Sequence, residues 1–146
     1  MSVTPSQFPT LPQADMDGTE TFWVQKNGVD YKVGHAYLFP YKRYVALLTQ
    51  TGTNAPTAIV LENTIGAIVW SRSIAGVYAG TLTGAFTVDK TVILGSLYTN
   101  ITASSDAWQA VYNTVNAIEV TSTSAGVLAD AVLSKEYTQI EIRVYY

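Results

Sequence analysis

Residues 137–146, YTQIEIRVYY, decide the fold class of this protein. The two isoleucines and Val144 alternate with Glu141 and Arg143, so that one face of the segment is apolar and the other is polar. Successive side chains of a β-strand point to opposite faces, and a strand that covers a core on one side shows this alternation. The segment therefore predicts a half-buried strand of an antiparallel sheet that runs to the final residue.

Six more segments upstream of this strand are short, rich in β-forming residues and separated by turn-forming residues such as TGTNAP at 51–56. Short strands at this spacing are typical of antiparallel sandwiches and barrels. We therefore predict an all-β body over residues 41–146, an antiparallel β-sandwich or a jelly-roll-like fold. The further predicted strands are 44–50, 57–62, 67–72, 76–83, 91–98 and 116–121.

Two segments do not follow the strand pattern. In residues 104–115, Trp108, Val111 and Tyr112 fall at helical spacing, which predicts a single short helix or a turn-rich loop. Residues 127–133, VLADAVL, are interpreted as one or two helical turns.

A separate strand pattern precedes the body in residues 19–33, TETFWVQKNGVDYKV. Asn27-Gly28 is a strong signal for a two-residue turn, because both turn positions need positive φ. An isolated two-stranded hairpin is marginal in water. We therefore expect the hairpin to be covered by the main body or by another copy of the chain. The side chains assigned to this oligomer or anchor interface are Phe22, Trp23, Val24, Tyr31 and Val33.

The first 18 residues contain three prolines among small polar residues. Proline fixes its own φ and pushes the preceding residue towards extended geometry. Residues 1–36 are thus predicted to form an extended arm and a β-hairpin that precede the body as a separate N-terminal unit.

The charge content is low for a chain of 146 residues: 13% of residues are charged and 48% are hydrophobic, against about 25% charged in an average globular protein. Such a surface favours packing against other protein copies. The net charge of −3 and the lack of a basic cluster argue against nucleic-acid binding. Without cysteine there is no disulfide or thiolate metal site. We expect no secretion signal and no membrane span.

No catalytic pattern stands out in the sequence. His35 is the single histidine, and acid–base chemistry requires a placed partner. Asp15, Asp17 and Glu20 cluster, but their spacing fits no established calcium loop. Neither a GxSxG elbow nor a phosphate-binding loop is present. A small hydrolase is the weakest hypothesis, and we predict a protein that is not an enzyme and needs no cofactor or metal.

The three tryptophans raise the alternative of a carbohydrate-binding module. Aromatic faces suit sugar stacking, but they also fill cores and interfaces. We interpret them first as core or interface residues. Trp70 and Trp108 remain the candidates for a glycan contact.

Two stretches resemble proteins of bacteriophages. Residues 17–33, which begin with DGTE, are similar to a short module that recurs in tail and head fibres. Residues 44–146 resemble a domain that is common in phages and prophages of Bacteroidetes, and their middle is the least similar part. The matching segments are YVALLTQTGTNAP at 44–56, VLENTIG at 60–66, IVWSR at 68–72 and IEIRVY at 140–145.

The resemblance implies a structural protein of a phage virion, either a head fibre or capsid decoration protein or a component of a tail fibre. It implies that residues 1–36 bind other virion proteins, in the capsid or neck, and associate with copies of the chain as a trimer rather than a dimer. The body would project from the particle, with host-surface glycans as a further partner. The protein would be made in the bacterial cytoplasm and reside in the virion.

Overall fold

The computed structural model describes residues 21–34, 40–96, 105–133 and 138–146. The predicted arm, the acidic cluster at 15–20 and His35 lie outside these residues. The chain divides into two compact units, Met1–Pro40 and Tyr41–Tyr146.

The N-terminal unit contains the predicted hairpin, formed by strands β1 (Thr21–Lys26) and β2 (Val29–Gly34). The two strands pair antiparallel from Thr21 with Gly34 to Lys26 with Val29. Asn27 and Gly28 form the turn with φ of 54° and 75°. Both values are positive, as a type I′ turn requires, and this turn matches the right-handed twist of the flanking strands.

The C-terminal unit is built on two antiparallel sheets. The last strand of the chain lies in the interior of the first sheet, whose order is β4-β3-β11-β7. A register shift between Val45 and Ala46 marks a bulge in the pairing of its first two strands. The strands are β3 (Tyr41–Thr49), β4 (Thr57–Asn63), β7 (Thr91–Ser96) and β11 (Thr138–Tyr145).

The second sheet has β9 at its centre. This strand pairs with β6 and β8, and with the short β10 beyond a tight turn; β5 completes the sheet next to β6. A 3-10 helix, Asp130–Val132, follows β10. The strands are β5 (Val69–Ile74), β6 (Val77–Thr81), β8 (Ala107–Thr114), β9 (Ala117–Ser124) and β10 (Val127–Leu128).

The core lies between the two sheets and is lined by alternate residues of their strands. The alternation predicted for the last strand is confirmed, since Ile140 and Ile142 are fully buried and Val144 nearly so. The remaining buried members of the cluster are Tyr44, Ala46, Leu48, Tyr78, Phe86, Ile118, Val120 and Leu133. The fold is therefore the predicted all-β sandwich. The seven predicted strands of the body are present as β3 to β7, β9 and β11, with shifted ends; Tyr98 and Tyr137 lie outside the described residues.

The prediction of a helix or loop for residues 104–115 was wrong. Residues Ala107–Thr114 form β8, which pairs with β9 along most of its length. Its partly buried side chains, Trp108, Ala110 and Tyr112, follow a period of two and pack against the core. Val111 belongs to the outer face and is 37% exposed. The small Ala110 did not stand out as a core residue in the sequence pattern. The exposed Val111, together with Trp108 and Tyr112, produced the spacing that was interpreted as helical.

Residues 127–133 combine both kinds of structure. Val127–Leu128 form the short strand β10, and the helical turn that the sequence predicts is limited to the 3-10 helix Asp130–Val132. Val132 and Leu133 are buried, so this turn closes one part of the core.

Candidate interaction surfaces

The hairpin has one apolar face. Phe22 lies opposite Val33, and Val24 lies opposite Tyr31. Directly opposite residues of an antiparallel pair point to the same side of the sheet. These four side chains form one surface, which we call the hairpin face. Tyr31 is 49% exposed, and a two-stranded sheet has no second layer of its own with which to cover such a surface.

The other side of the hairpin is mixed in character. Trp23 lies opposite Lys32 and is 68% exposed. Beside this pair, Gln25 Nε2 donates a hydrogen bond of 3.2 Å to Asp30 Oδ1. Four of the five predicted interface residues thus share the hairpin face, and Trp23 belongs to the opposite side.

Each tryptophan of the body lies against a glycine. The ring of Trp70 covers Gly80, where a Cβ atom would stand 3.1 Å from two ring carbons. The ring of Trp108 lies so close to Gly95 that a Cβ there would overlap it. Both rings are partly buried against the core, and Trp70 Nε1 donates to Tyr44 Oη at 3.3 Å. Both rings therefore pack within the sandwich, and their contact with glycans stays a prediction.

Asp130 is the centre of a polar cluster beside the core. Its carboxylate accepts hydrogen bonds from Arg72 Nε at 2.9 Å and Arg72 Nη2 at 2.8 Å, and from the Gly76 N–H at 3.1 Å. Tyr78 Oη lies 3.1 Å from Asp130 Oδ1 and 3.0 Å from Gln50 Oε1. The cluster joins the 3-10 helix to the β5–β6 turn and to the loop after β3.

The charges of this cluster are fixed at neutral pH. The hydrogen bonds from Arg72 hold the pKa of Asp130 far below its usual value, and those same bonds raise the pKa of Arg72. Burial raises the pKa of Tyr78. The hydrogen bonds hold the 3-10 helix to the β5–β6 turn and to the loop after β3.

A second charged group lies on the outer face of the first sheet. Arg43 Nη1 is 3.0 Å from Glu62 Oε2, and Arg43 Nε is 2.9 Å from Glu141 Oε1 without the alignment of a hydrogen bond. Arg143 Nε donates to the same Glu141 oxygen at 2.6 Å and its guanidinium lies 5.0 Å from the centre of the Tyr41 ring. Arg43 thus links Glu62 to Glu141, and Glu141 also pairs with Arg143. The hydrogen bond from Arg143 lowers the pKa of Glu141.

Sequence reasoning missed the role of Asp130. A carboxylate inside the otherwise apolar stretch VLADAVL was the available signal, because a charge in such a stretch needs a partner. Its partner Arg72 is 58 residues away in sequence, and no local pattern connects the two.

The described ranges contain no group of three or more metal-ligating side chains. Within the same ranges, no helix is long and apolar enough to cross a membrane. No protein-family model matches the sequence, and no curated protein or solved structure matches it either.

Proposed function

We propose that this chain is a non-enzymatic structural protein of a phage virion, a head fibre or capsid decoration protein. Its N-terminal unit anchors and assembles the protein, and its β-sandwich is displayed. The observation that carries the proposal is the hairpin face, because an exposed apolar surface on a two-stranded sheet needs a partner to cover it. The resemblance of residues 17–33 and 44–146 to phage proteins supplies the virion as the setting.

The shape of the hairpin favours a trimer over a dimer. Among the described residues, β1 and β2 pair only with each other, so the hairpin has two open edges as well as one apolar face. Two hairpins stacked face to face would cover the faces but leave all four edges open. Three hairpins, each with β1 beside β2 of the next, would close six antiparallel strands into a ring. Closure removes every edge and turns the apolar faces inward.

In such a ring Phe22, Val24, Tyr31 and Val33 fill the interior, and Trp23 remains on the outside. Exposed tryptophan is enriched at protein interfaces because it buries a large area with few rotatable bonds. We assign Trp23 to the contact with the capsid or neck.

Light scattering coupled to size-exclusion chromatography of the full chain tests the assembly. We expect a particle of three times 15.8 kDa. The double variant F22S/Y31S should be monomeric, because both substitutions remove a large aromatic side chain from the hairpin face. The variant W23S is the matched control on the opposite side and should stay trimeric. A monomeric wild-type chain at high concentration would refute the assembly. If peptides of this protein were absent from purified particles of the encoding phage, the virion setting would be refuted.

A further inference from the structure

The apolar side of the hairpin ends in a lysine next to the turn. Alternate residues of a strand share one side, so Lys26 projects to the same side as Phe22 and Val24. Its partner across the hairpin is Val29, the residue that follows the turn. Lys26 and Val29 are both exposed, and they follow the hairpin face as the last pair before the turn.

No carboxylate of residues 21–34 lies on the same side as Lys26. Asp30 is the one acidic residue in this range, and it lies opposite Gln25, on the side that carries Trp23. Gln25 Nε2 donates its hydrogen bond to Asp30 on that side. The apolar side of the described hairpin therefore carries one positive charge and no negative charge.

The proposed ring of three hairpins, on which this inference rests, gathers three copies of Lys26 at one end, because threefold symmetry places all three turns there. Six tilted strands spaced about 4.8 Å apart close at a radius of about 6 Å. The four-carbon stem of lysine covers a comparable length, so each ammonium can reach the axis. The copies of Val29 lie between the lysines. Three like charges at this distance repel one another, and apolar walls strengthen the repulsion.

We propose that this end of the trimer binds one free phosphate or sulfate ion on the threefold axis. A multiply charged oxyanion accepts hydrogen bonds from three ammonium groups at once, and its charge compensates the repulsion between them. A single chain contributes one ammonium, so the site is complete only when three chains have assembled. Anion binding therefore stabilises the trimer by mass action.

Isothermal titration calorimetry of the full chain with inorganic phosphate, at an ionic strength held constant with sodium chloride, tests the proposal. We expect one phosphate to bind for every three chains. At about 100 times its Kd, phosphate should raise the association constant of the trimer about 100-fold. Because three chains combine, the chain concentration at the midpoint of dissociation should fall about tenfold, as measured by light scattering across a dilution series.

Two variants locate the site. K26Q removes the ammonium and keeps a side chain of similar length. This variant should be trimeric with or without phosphate, because the repulsion is gone, and it should show no saturable phosphate binding. K32Q is the matched control, since Lys32 lies opposite Trp23 on the outside of the ring, and it should bind phosphate as the wild type does.

The outcomes separate this site from the assembly itself. A wild-type chain that stays monomeric with and without phosphate refutes the trimer, and the site with it. A wild-type trimer that binds no phosphate, or that binds it no better than the K26Q trimer does, refutes the site and leaves the assembly standing. A stoichiometry of one phosphate per chain would also overturn a site on the axis.

Discussion

Gly95 sets how closely the two sheets approach at one edge of the sandwich. A Cβ at this position would overlap the Trp108 ring and the Gln139 carbonyl oxygen. Protein interiors are close-packed, so even one added methyl group forces the neighbouring atoms to move. The glycine is therefore required by the tryptophan that covers it.

We predict that Gly95→Ala lowers the free energy of unfolding by about 1–3 kcal/mol, as measured by urea denaturation. The substitution Leu94→Ala, at the exposed neighbouring position, should lower the free energy of unfolding by less than Gly95→Ala does. Trp108→Phe in the G95A background should recover part of the loss, because the smaller ring leaves room for the methyl group. A G95A variant as stable as the wild type would contradict this account of the packing.

Asp130 gives the protein a stability that depends on pH. Because its pKa in the folded protein is lowered from 3.8, the ionised carboxylate stabilises the fold above that value. The contribution is lost as the pH falls through the lower folded pKa. The sign follows from the hydrogen bonds that Arg72, Gly76 and Tyr78 direct at the carboxylate.

We predict that Asp130→Asn lowers the free energy of unfolding at pH 7 by about 1–3 kcal/mol, the range for hydrogen bonds to a charged group. The difference in the free energy of unfolding between wild type and D130N should become smaller as the pH falls below 3.8. Urea midpoints measured from pH 7 to pH 2 check both statements. A difference between wild type and D130N that stays constant with pH would contradict the ionised state assigned to Asp130.

At the scale of secondary structure, periodicity gave good predictions where large apolar side chains alternate with polar ones. The final strand and the hairpin belong to this class, and both are present with their turns. β8 was missed because its core-facing side includes only alanine between Trp108 and Tyr112, while the outer face includes the apolar Val111 between Gln109 and Asn113. The large apolar side chains of this segment therefore do not recur at every second residue.

The Asn27-Gly28 turn should influence the proposed assembly, because it sets the pairing of β1 with β2. Gly28 has φ of 75° and open space around it, so replacement by alanine would introduce no clash but would strain the backbone. We predict that Gly28→Ala destabilises the hairpin by about 1 kcal/mol and weakens the proposed trimer without changing a side chain of the hairpin face. Light scattering across a dilution series should show dissociation at a higher concentration than for the wild type. Gly52→Ala, which has φ of 58° and equally open space in the body, should leave the assembly unchanged.

For the whole molecule, the sequence did not predict the contacts that hold the body together. The chain divides into the compact units Met1–Pro40 and Tyr41–Tyr146, and the predicted roles of the N-terminal unit and the body stay predictions. The contacts between Arg72 and Asp130, and between Trp108 and Gly95, join residues on different elements. Such contacts arise only when the sheets have paired, so no local property of the sequence encodes them.

Assembly through the hairpin alone should make the two units respond differently to concentration. Binding stabilises the folded state by mass action, so a trimeric hairpin must melt at a higher temperature as the chain concentration rises. The body, which has its own core, should melt at a temperature independent of concentration. The indole N–H resonance of Trp23 reports on the hairpin and the amides of β11 report on the body, both followed by NMR during heating. In F22S/Y31S the concentration dependence of the Trp23 signal should disappear. If both units of the wild type shifted together with concentration, the body would have to form part of the oligomer interface, and the assignment of assembly to the hairpin face would be refuted.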